Sequence, residues 1–313
     1  MPVPRDKEVL IKVRAASVNP LDGGSMKGGG RIVNGLRKPK ITGLGVDVAG
    51  TVEVVGRNVT QFKPGDTVFG ACIRYPQASG AKVWVCQGAF ADYACVPEST
   101  LVTKPDNVTF DQAASVPVAG FTALQGLRDK GHLQPGQKVL VNGAAGGVGT
   151  LTVQIAKSFG AEVTGVCGTR NVDMVRSIGA DRVIDYTQED FAKMGQRYDL
   201  FFDCVGNHSL SACRRVLNPR GIYLMVGEMS GRGTIAFLAR LLTAFVISPF
   251  VSQKLVIYLA RPNKQDLIIM RDLLATGKVK PVIDKRYNLS EVPEAIRYLE
   301  QKHAHGKVVI TFD

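Results

Sequence analysis

The segment Ala145-Gly146-Gly147-Val148-Gly149 follows a short apolar run, Val139-Leu140-Val141, and opens a helical pattern. In that pattern Val148, Leu151, Thr152, Ile155, Ala156 and Phe159 recur at i, i+3, i+4, i+7, i+8 and i+11, and Gly160 closes it. A strand, a small-residue turn and a helix in this order can hold an anion. Gly146 lets the backbone approach a pyrophosphate, Gly149 lets helix pack on strand, and the first helical N–H groups face the ligand. The chemistry is that of dinucleotide binding. Ala144 stands where the G-x-G-x-x-G pattern has its first glycine. A glycine turn opening an ordinary helix would look the same in isolation.

The next strand separates the two readings. Residues 161–167 (AEVTGVC) read as a second parallel strand, whose end lies about 20 residues beyond the turn, where the adenosine ribose is read. A site for NADH places Asp or Glu there. This chain has Cys167-Gly168-Thr169-Arg170-Asn171, with a hydroxyl and a guanidinium but no acid. Arg170 can pair with a 2′-phosphate that a carboxylate would repel, so the reading favours NADPH. An isolated surface arginine is the alternative.

These groups need a scaffold. A chain of 313 residues is long enough for two domains, and 45% hydrophobic with 21% charged residues is ordinary for a globular protein. The net charge of +12 can steer anionic ligands or favour an acidic membrane surface or nucleic acid. Lysines and arginines are scattered, with no basic block and no interleaved aromatics, which argues against nucleic acid. Six cysteines without a C-x-x-C pair read as reduced thiols of a cytoplasmic protein, and Met1–Lys7 carries no secretory signal. The longest apolar stretch, residues 235–260, is interrupted by Arg240, Ser248-Pro249 and Lys254. It argues for a buried helix, a dimer contact or a lid rather than a membrane span.

The first hundred residues read as β-rich, with strands at 9–15, 46–55, 61–69 and 90–96. Residues 111–127 read as a helix broken at Pro117 and Gly120. Six strand candidates follow, at 138–142, 161–167, 182–185, 199–204, 221–226 and 254–259, with helical segments separating the first five. This is the doubly wound α/β pattern. Helices at 263–276 and 291–301 and a strand at 307–311 return to the first domain.

In order, the chain carries Val18-Asn19-Pro20-Leu21-Asp22, Gly45-Val46-Asp47-Val48-Ala49-Gly50-Thr51-Val52 and Lys63-Pro64-Gly65-Asp66-Thr67-Val68. Gly88-Ala89-Phe90-Ala91-Asp92-Tyr93 and Val116-Pro117-Val118-Ala119-Gly120-Phe121-Thr122-Ala123 precede the glycine turn, and Gly306-Lys307-Val308-Val309 ends the set. Together they resemble the medium-chain dehydrogenase/reductase superfamily, in its zinc-free quinone oxidoreductase branch. The resemblance implies a GroES-like β-rich catalytic domain (1–114 with 261–313) and a doubly wound Rossmann domain binding NADPH (115–260). Family members usually carry a further hairpin before the segment at 4–13, and its absence reads as a truncated start.

The zinc-dependent relatives place a cysteine where this chain has Asn19, a His-Glu pair where it has Val46-Asp47, and a further cysteine near residues 118–120. The histidines, at 132, 208, 303 and 305, lie outside these motifs, and His303 with His305 reads as solvated surface. No zinc is expected. Hydride transfer then depends on an electrophilic small molecule, a quinone or an α,β-unsaturated carbonyl.

By motif position, Asn19 lies beside the nicotinamide and orients the substrate carbonyl, or caps the turn before Pro20. Asp22 shapes the local fold. Thr122 touches the nicotinamide ribose or amide, and Tyr186 packs near the 2′-phosphate. The family's lysine near Val172 is absent, which leaves more of that recognition to Arg170. Val205, Gly206 and Val226 with Gly227 end the fourth and fifth strands, where the nicotinamide half binds. Lys307 aligns with a lysine near the cofactor, or is a surface lysine. Tyr75 is an unsecured proton donor. A homodimer joined at the last strand of the nucleotide sheet is also implied.

Other readings are an NADPH-binding or membrane-surface regulator without turnover, with peripheral membrane contact, and an alcohol dehydrogenase. Tyr298-x-x-x-Lys302 matches the short-chain reductase spacing, but it follows the nucleotide fold instead of lying within it.

Overall fold

The long strand β1 (Glu8–Val18) exposes only Lys12 and Arg14, because both faces of the rest are covered. The structure, a computed structural model, describes residues 1–26, 43–74, 85–86, 88–226, 251–301 and 304–312. It divides into two units, Met1–Ala119 with Pro262–Asp313, and Gly120–Arg261.

In the first unit β1 is followed by helix α1 (Pro20–Met26), then β2 (Asp47–Val55), β3 (Thr67–Ala71), the short pair β4 (Ile73–Arg74) and β5 (Val85–Cys86), β6 (Tyr93–Pro97) and β7 (Leu101–Thr103). Antiparallel pairing sets Ser17 opposite Asp47. The strand expected at 61–69 begins only at Thr67, because the Asp66 carboxylate accepts from the Lys63 amide and holds residues 63–66 in a turn. Helix α2 (Phe110–Ala114) starts at a Thr109–Gln112 capping box.

Helix α3 (Pro117–Gln125) corrects the expected break at Gly120, which lies inside the helix. The interruption falls at Ser115-Val116, and Pro117 opens α3, where a missing N–H costs nothing.

Among the described residues, the second unit is a parallel sheet of six strands. They are β8 (Lys138–Asn142), β9 (Glu162–Cys167), β10 (Arg182–Asp185), β11 (Tyr198–Asp203), β12 (Leu217–Met225) and β13 (Lys254–Ile257). Helices α4 (Gly147–Ser158), α5 (Val172–Ser177) and α6 (Leu210–Arg215) connect them. A helix was also expected between β10 and β11, but the connection holds only a 3-10 turn, Phe191–Lys193, capped by Asp190. The order is β10-β9-β8-β11-β12-β13, which reverses between β8 and β11. In such sheets ligands bind outside the carboxyl ends of the strands at that reversal. Phe201 anchors the core beneath, packed edge-on against Phe191 and Tyr223.

The chain then adds α7 (Lys264–Ala275), β14 (Ile283–Asn288), α8 (Val292–Glu300) and β15 (Lys307–Thr311) to the first unit. β15 pairs antiparallel with β1, setting Val18 opposite Val308. That register brings Lys307 to the end of β1.

Candidate active site

In the second unit, Asn142, Cys167, Asp185, Asp203 and Met225 close their strands at the carboxyl end of the sheet. Asp203 pairs with both Asn142 and Met225, Asp185 pairs with Cys167, and Asn142 faces Val166, one residue before Cys167. Most of the sequence candidates follow these positions. After Asn142 the chain turns at Gly143, whose φ of 80° lies in the left-handed region. Gly143 takes the role sought at Ala144, which is itself buried. A Cβ on Gly149 would come 2.0 Å from the Gly143 carbonyl oxygen, so helix α4 can pack on the turn only with glycine there. At Gly146, by contrast, an added Cβ would meet that oxygen at 3.4 Å. Ala145 precedes the helix, and the amides of Gly147, Val148 and Gly149 have no intrahelical acceptor. This is a cradle fit for a pyrophosphate.

After β9, Thr169 and Arg170 enter a 3-10 turn and are exposed. Among the described residues Arg170 has no ion-pair partner, so its guanidinium is available to an anion. The Tyr186 hydroxyl lies 3.0 Å from where a Cβ on Gly168 would sit, and the ring is 65% exposed. Asp185, next to Cys167 across the ladder, is an acid the sequence reading did not weigh. One of its oxygens accepts from the amide and the hydroxyl of Thr187, at 2.9 and 2.8 Å. Hydrogen bonds from Thr169 and Thr187 hold its carboxyl below the usual range. Burial pushes the Cys167 thiol up to about 11, so it is no reactive thiolate.

At the end of β11 the fully buried Asp203 carboxylate gathers the switch point. Oδ1 accepts from Asn142 Nδ2 at 2.9 Å and from the amides of Val205 and Gly206 at 3.0 and 2.9 Å. The Tyr223 hydroxyl donates to Oδ2 at 2.7 Å. Val226 is tied back by its amide to the Asp203 carbonyl at 3.0 Å. Thr122 lies in α3, half-buried, and its carbonyl accepts from the Tyr258 hydroxyl.

In the first unit, Asn19 and Lys307 come together in a buried polar cluster. Lys307 Nζ donates to Asn19 Oδ1 at 2.6 Å, and more distantly to the Val18 carbonyl and Asp47 Oδ2, both at 3.4 Å. Asn19 Nδ2 donates to Asp47 Oδ2 at 2.9 Å and to the Ser17 carbonyl at 3.3 Å. The Asn19 side chain therefore does not cap α1. That task falls to Asp22, which accepts from the amides of Asn19 and Gly45 at 2.8 and 3.2 Å. Burial, more than any other cause, pushes the Asp22 carboxyl up to about 7. Lys307 is only 5% exposed and is no surface lysine.

Asp47 and Asp203 were not singled out from sequence as organisers. Each is a buried acid at a strand end, and only pairing with distant residues shows what it collects. His305, read as surface, is half-buried, and its Nδ1 has no hydrogen-bond partner among the described residues. Among the described residues no group of three or more His, Cys, Asp or Glu is placed to hold a metal ion. Also among them, no helix is long and apolar enough to cross a membrane. Tyr75, Gly227, Lys302, His303 and most of the stretch 235–260 lie outside the described residues.

Residues 5–106 match the alcohol dehydrogenase GroES-like domain family, and residues 178–310 match the family described as zinc-binding dehydrogenase. The chain is 34% identical to a 2-methylene-furan-3-one reductase of Solanum lycopersicum, over 98% of this chain and 72% of that protein. It is 35% identical to an NADPH-dependent alkenal/one oxidoreductase, chloroplastic, of Arabidopsis thaliana, over 99% of this chain and 73% of that protein. Among solved structures, the quinone oxidoreductase from Coxiella burnetii superposes with a TM-score of 0.83 at 30% identity, covering 100% of this chain and 93% of that one. The chain belongs to the medium-chain dehydrogenase/reductase superfamily, in its quinone oxidoreductase-like branch.

Proposed function

We propose that this protein is an NADPH-dependent, zinc-independent reductase that delivers a hydride to a quinone or an α,β-unsaturated carbonyl. The observation that carries the reading is the Asn19–Lys307 hydrogen bond: Asn19 stands where zinc-dependent relatives place a cysteine ligand, and its Oδ1 accepts from a lysine ammonium. Relatives named as alkenal/one and quinone reductases support the same acceptor class.

NADPH fits the residues of the second unit. The Gly143–Gly149 cradle and the free amides of α4 would hold the pyrophosphate, and Thr169, Arg170 and Tyr186 would hold the 2′-phosphate end. Val205, Gly206, Val226 and Thr122 would serve the nicotinamide half. When bound, NADPH supplies the hydride. Zinc does not fit at Asn19, because an amide, Val46 and a carboxylate committed to protein donors are not a set of thiolates and imidazoles.

Both Nδ2 hydrogens of Asn19 are engaged by protein. The cationic donor of the cluster is Lys307, and two of its three contacts, both at 3.4 Å, are weak enough to be exchanged for another acceptor. Lys307 therefore addresses the oxygen of the acceptor, and Asn19 holds Lys307. A cationic donor facing an oxyanion that develops during reduction stabilises it more than a neutral amide would. Asp22, with both oxygens on backbone amides, shapes this corner, and the final proton comes from water. The reading includes a homodimer, which sedimentation velocity would report, and a cytoplasmic setting.

The test is NADPH consumption with a simple quinone and a simple enal, with and without a chelator. Turnover indifferent to the chelator is the expected result. Turnover that requires added zinc, or none with either acceptor, would refute the proposal.

A further inference from the structure

We propose that Asp47 is a positioning residue of the reduction, acting through Asn19 and Lys307. The inference rests on the reductase reading above. Asp47 opens β2 and is fully buried, so it touches no ligand itself. Its two oxygens collect donors from widely separated parts of the chain. Oδ2 accepts from Ser17 Oγ at 2.7 Å, Asn19 Nδ2 at 2.9 Å and Lys307 Nζ at 3.4 Å, and Oδ1 accepts from the Val118 amide at 2.9 Å.

The geometry of an amide makes this arrangement directional. A carboxamide carries two donors on one side and an acceptor on the other. With an ionised Asp47 on one side and the Lys307 ammonium on the other, Asn19 satisfies both in a single orientation: Nδ2 toward Asp47 and Oδ1 toward Lys307. The opposite orientation would set oxygen against carboxylate and NH2 against ammonium. Asp47 thus decides which way Asn19 faces, and Asn19, by its 2.6 Å contact, decides where the lysine nitrogen sits. Asp47 also supplies the negative charge that offsets a nearly buried cation. A displacement of such a donor by an ångström reduces turnover far more than it reduces cofactor binding.

A plain interior ion pair stapling β2 to β15 would show the same contacts, and the experiment separates the two. Asp47→Asn keeps the size of the side chain and an oxygen for the Val118 amide, but it sets one amide against another at Asn19. In Asn19→Asp/Asp47→Asn the carboxylate and the amide exchange places, the hydrogen bond between them reverses, and Lys307 again faces an anion.

The expected result for Asp47→Asn is a fall in kcat of about 100-fold, with the NADPH dissociation constant within about twofold of wild type. The exchanged pair should recover at least about tenfold of that loss. A readout apart from turnover is binding of 4-nitrophenolate, a stable oxyanion, to protein saturated with NADP⁺, followed by its absorbance. Asp47→Asn should weaken it by about tenfold or more.

Wild-type kcat and phenolate binding in Asp47→Asn would overturn the proposal, as would an exchanged pair that recovers neither. A wild type that binds the phenolate but consumes no NADPH with any acceptor would overturn the reductase reading alone. The response of phenolate binding to the two variants would then decide the role of Asp47 by itself.

Discussion

Lys307 Nζ sits 2.6 Å from Asn19 Oδ1 although 288 residues separate them in the chain. The contact exists because β15 pairs with β1 in a register that sets Val308 against Val18, placing the first residue of one strand beside the end of the other. Both side chains are nearly withdrawn from solvent, and their shared partner Asp47 is fully so.

Removing the cation therefore strands an anion. Lys307→Met should lower stability by about 3–5 kcal/mol, since Asp47 is left as an uncompensated buried charge. Lys307→Met/Asp47→Asn should recover part of that loss, because the charge goes with its partner. Urea midpoints of the three proteins check this. Equal destabilisation by the single and double variants would mean that the charge contributes little.

Two glycines of the nucleotide turn should separate folding from binding. Gly149→Ala forces a Cβ to within 2.0 Å of a carbonyl oxygen, and it should unfold the second unit or yield insoluble protein. Gly146→Ala meets its nearest atom at 3.4 Å with an ordinary φ of −81°, so it should fold with nearly the wild-type melting temperature. The added methyl would still block close approach of a pyrophosphate, and NADPH binding should weaken by about tenfold or more. Circular dichroism and fluorescence titration would show the contrast.

Asp22 predicts a pH signature. Its folded pKa, about 7, lies above the ordinary 3.8 chiefly because the ionised form is desolvated. Between those values the folded protein binds more protons than the unfolded chain. The contribution is thus fully present below about pH 4 and is lost as pH rises toward 7, with a slope of at most about 1.4 kcal/mol per pH unit. Asp22→Asn should flatten the wild-type curve over that window. Parallel curves would assign the slope to other groups.

Arg170 should set the nucleotide preference. Wild type should bind NADPH more tightly than NADH, and Arg170→Ala should lose about 10- to 100-fold of NADPH affinity while leaving NADH nearly unchanged. Neutralising Asp185, whose carboxylate lies on the neighbouring strand end, should move the ratio the other way. Fluorescence titration of the variants with both nucleotides checks the pair.

The parts legible in the sequence were those fixed by local pattern. The runs 138–142 and 307–311 were bounded as the structure has them, because short, mostly buried apolar strands end where polar turns begin, and the half-exposed edge strand 182–185 was bounded by the glycine and polar residues around it. β12 starts at Leu217, earlier than expected, since Pro219 and a positive-φ Arg220 disguise the opening of the strand. The Gly143 turn was missed because the motif was aligned on Ala144. Asp47 was legible only as a departure from the zinc pattern. Its partners lie 28, 30, 71 and 260 residues away, and no local periodicity carries that information.

The central claim is hydride transfer to an electrophilic acceptor, and isotope transfer tests it most directly. NADPH stereospecifically deuterated at C4 would be incubated with the protein and a simple enone, and the product examined by mass spectrometry and NMR. The account predicts one deuterium at the β-carbon from one face of the nicotinamide, a solvent-derived proton at the α-carbon, and the same outcome with a chelator present. Deuterium absent from the product with both the (4R)- and the (4S)-labelled cofactor, or a carbonyl reduced to an alcohol with the double bond intact, would contradict it.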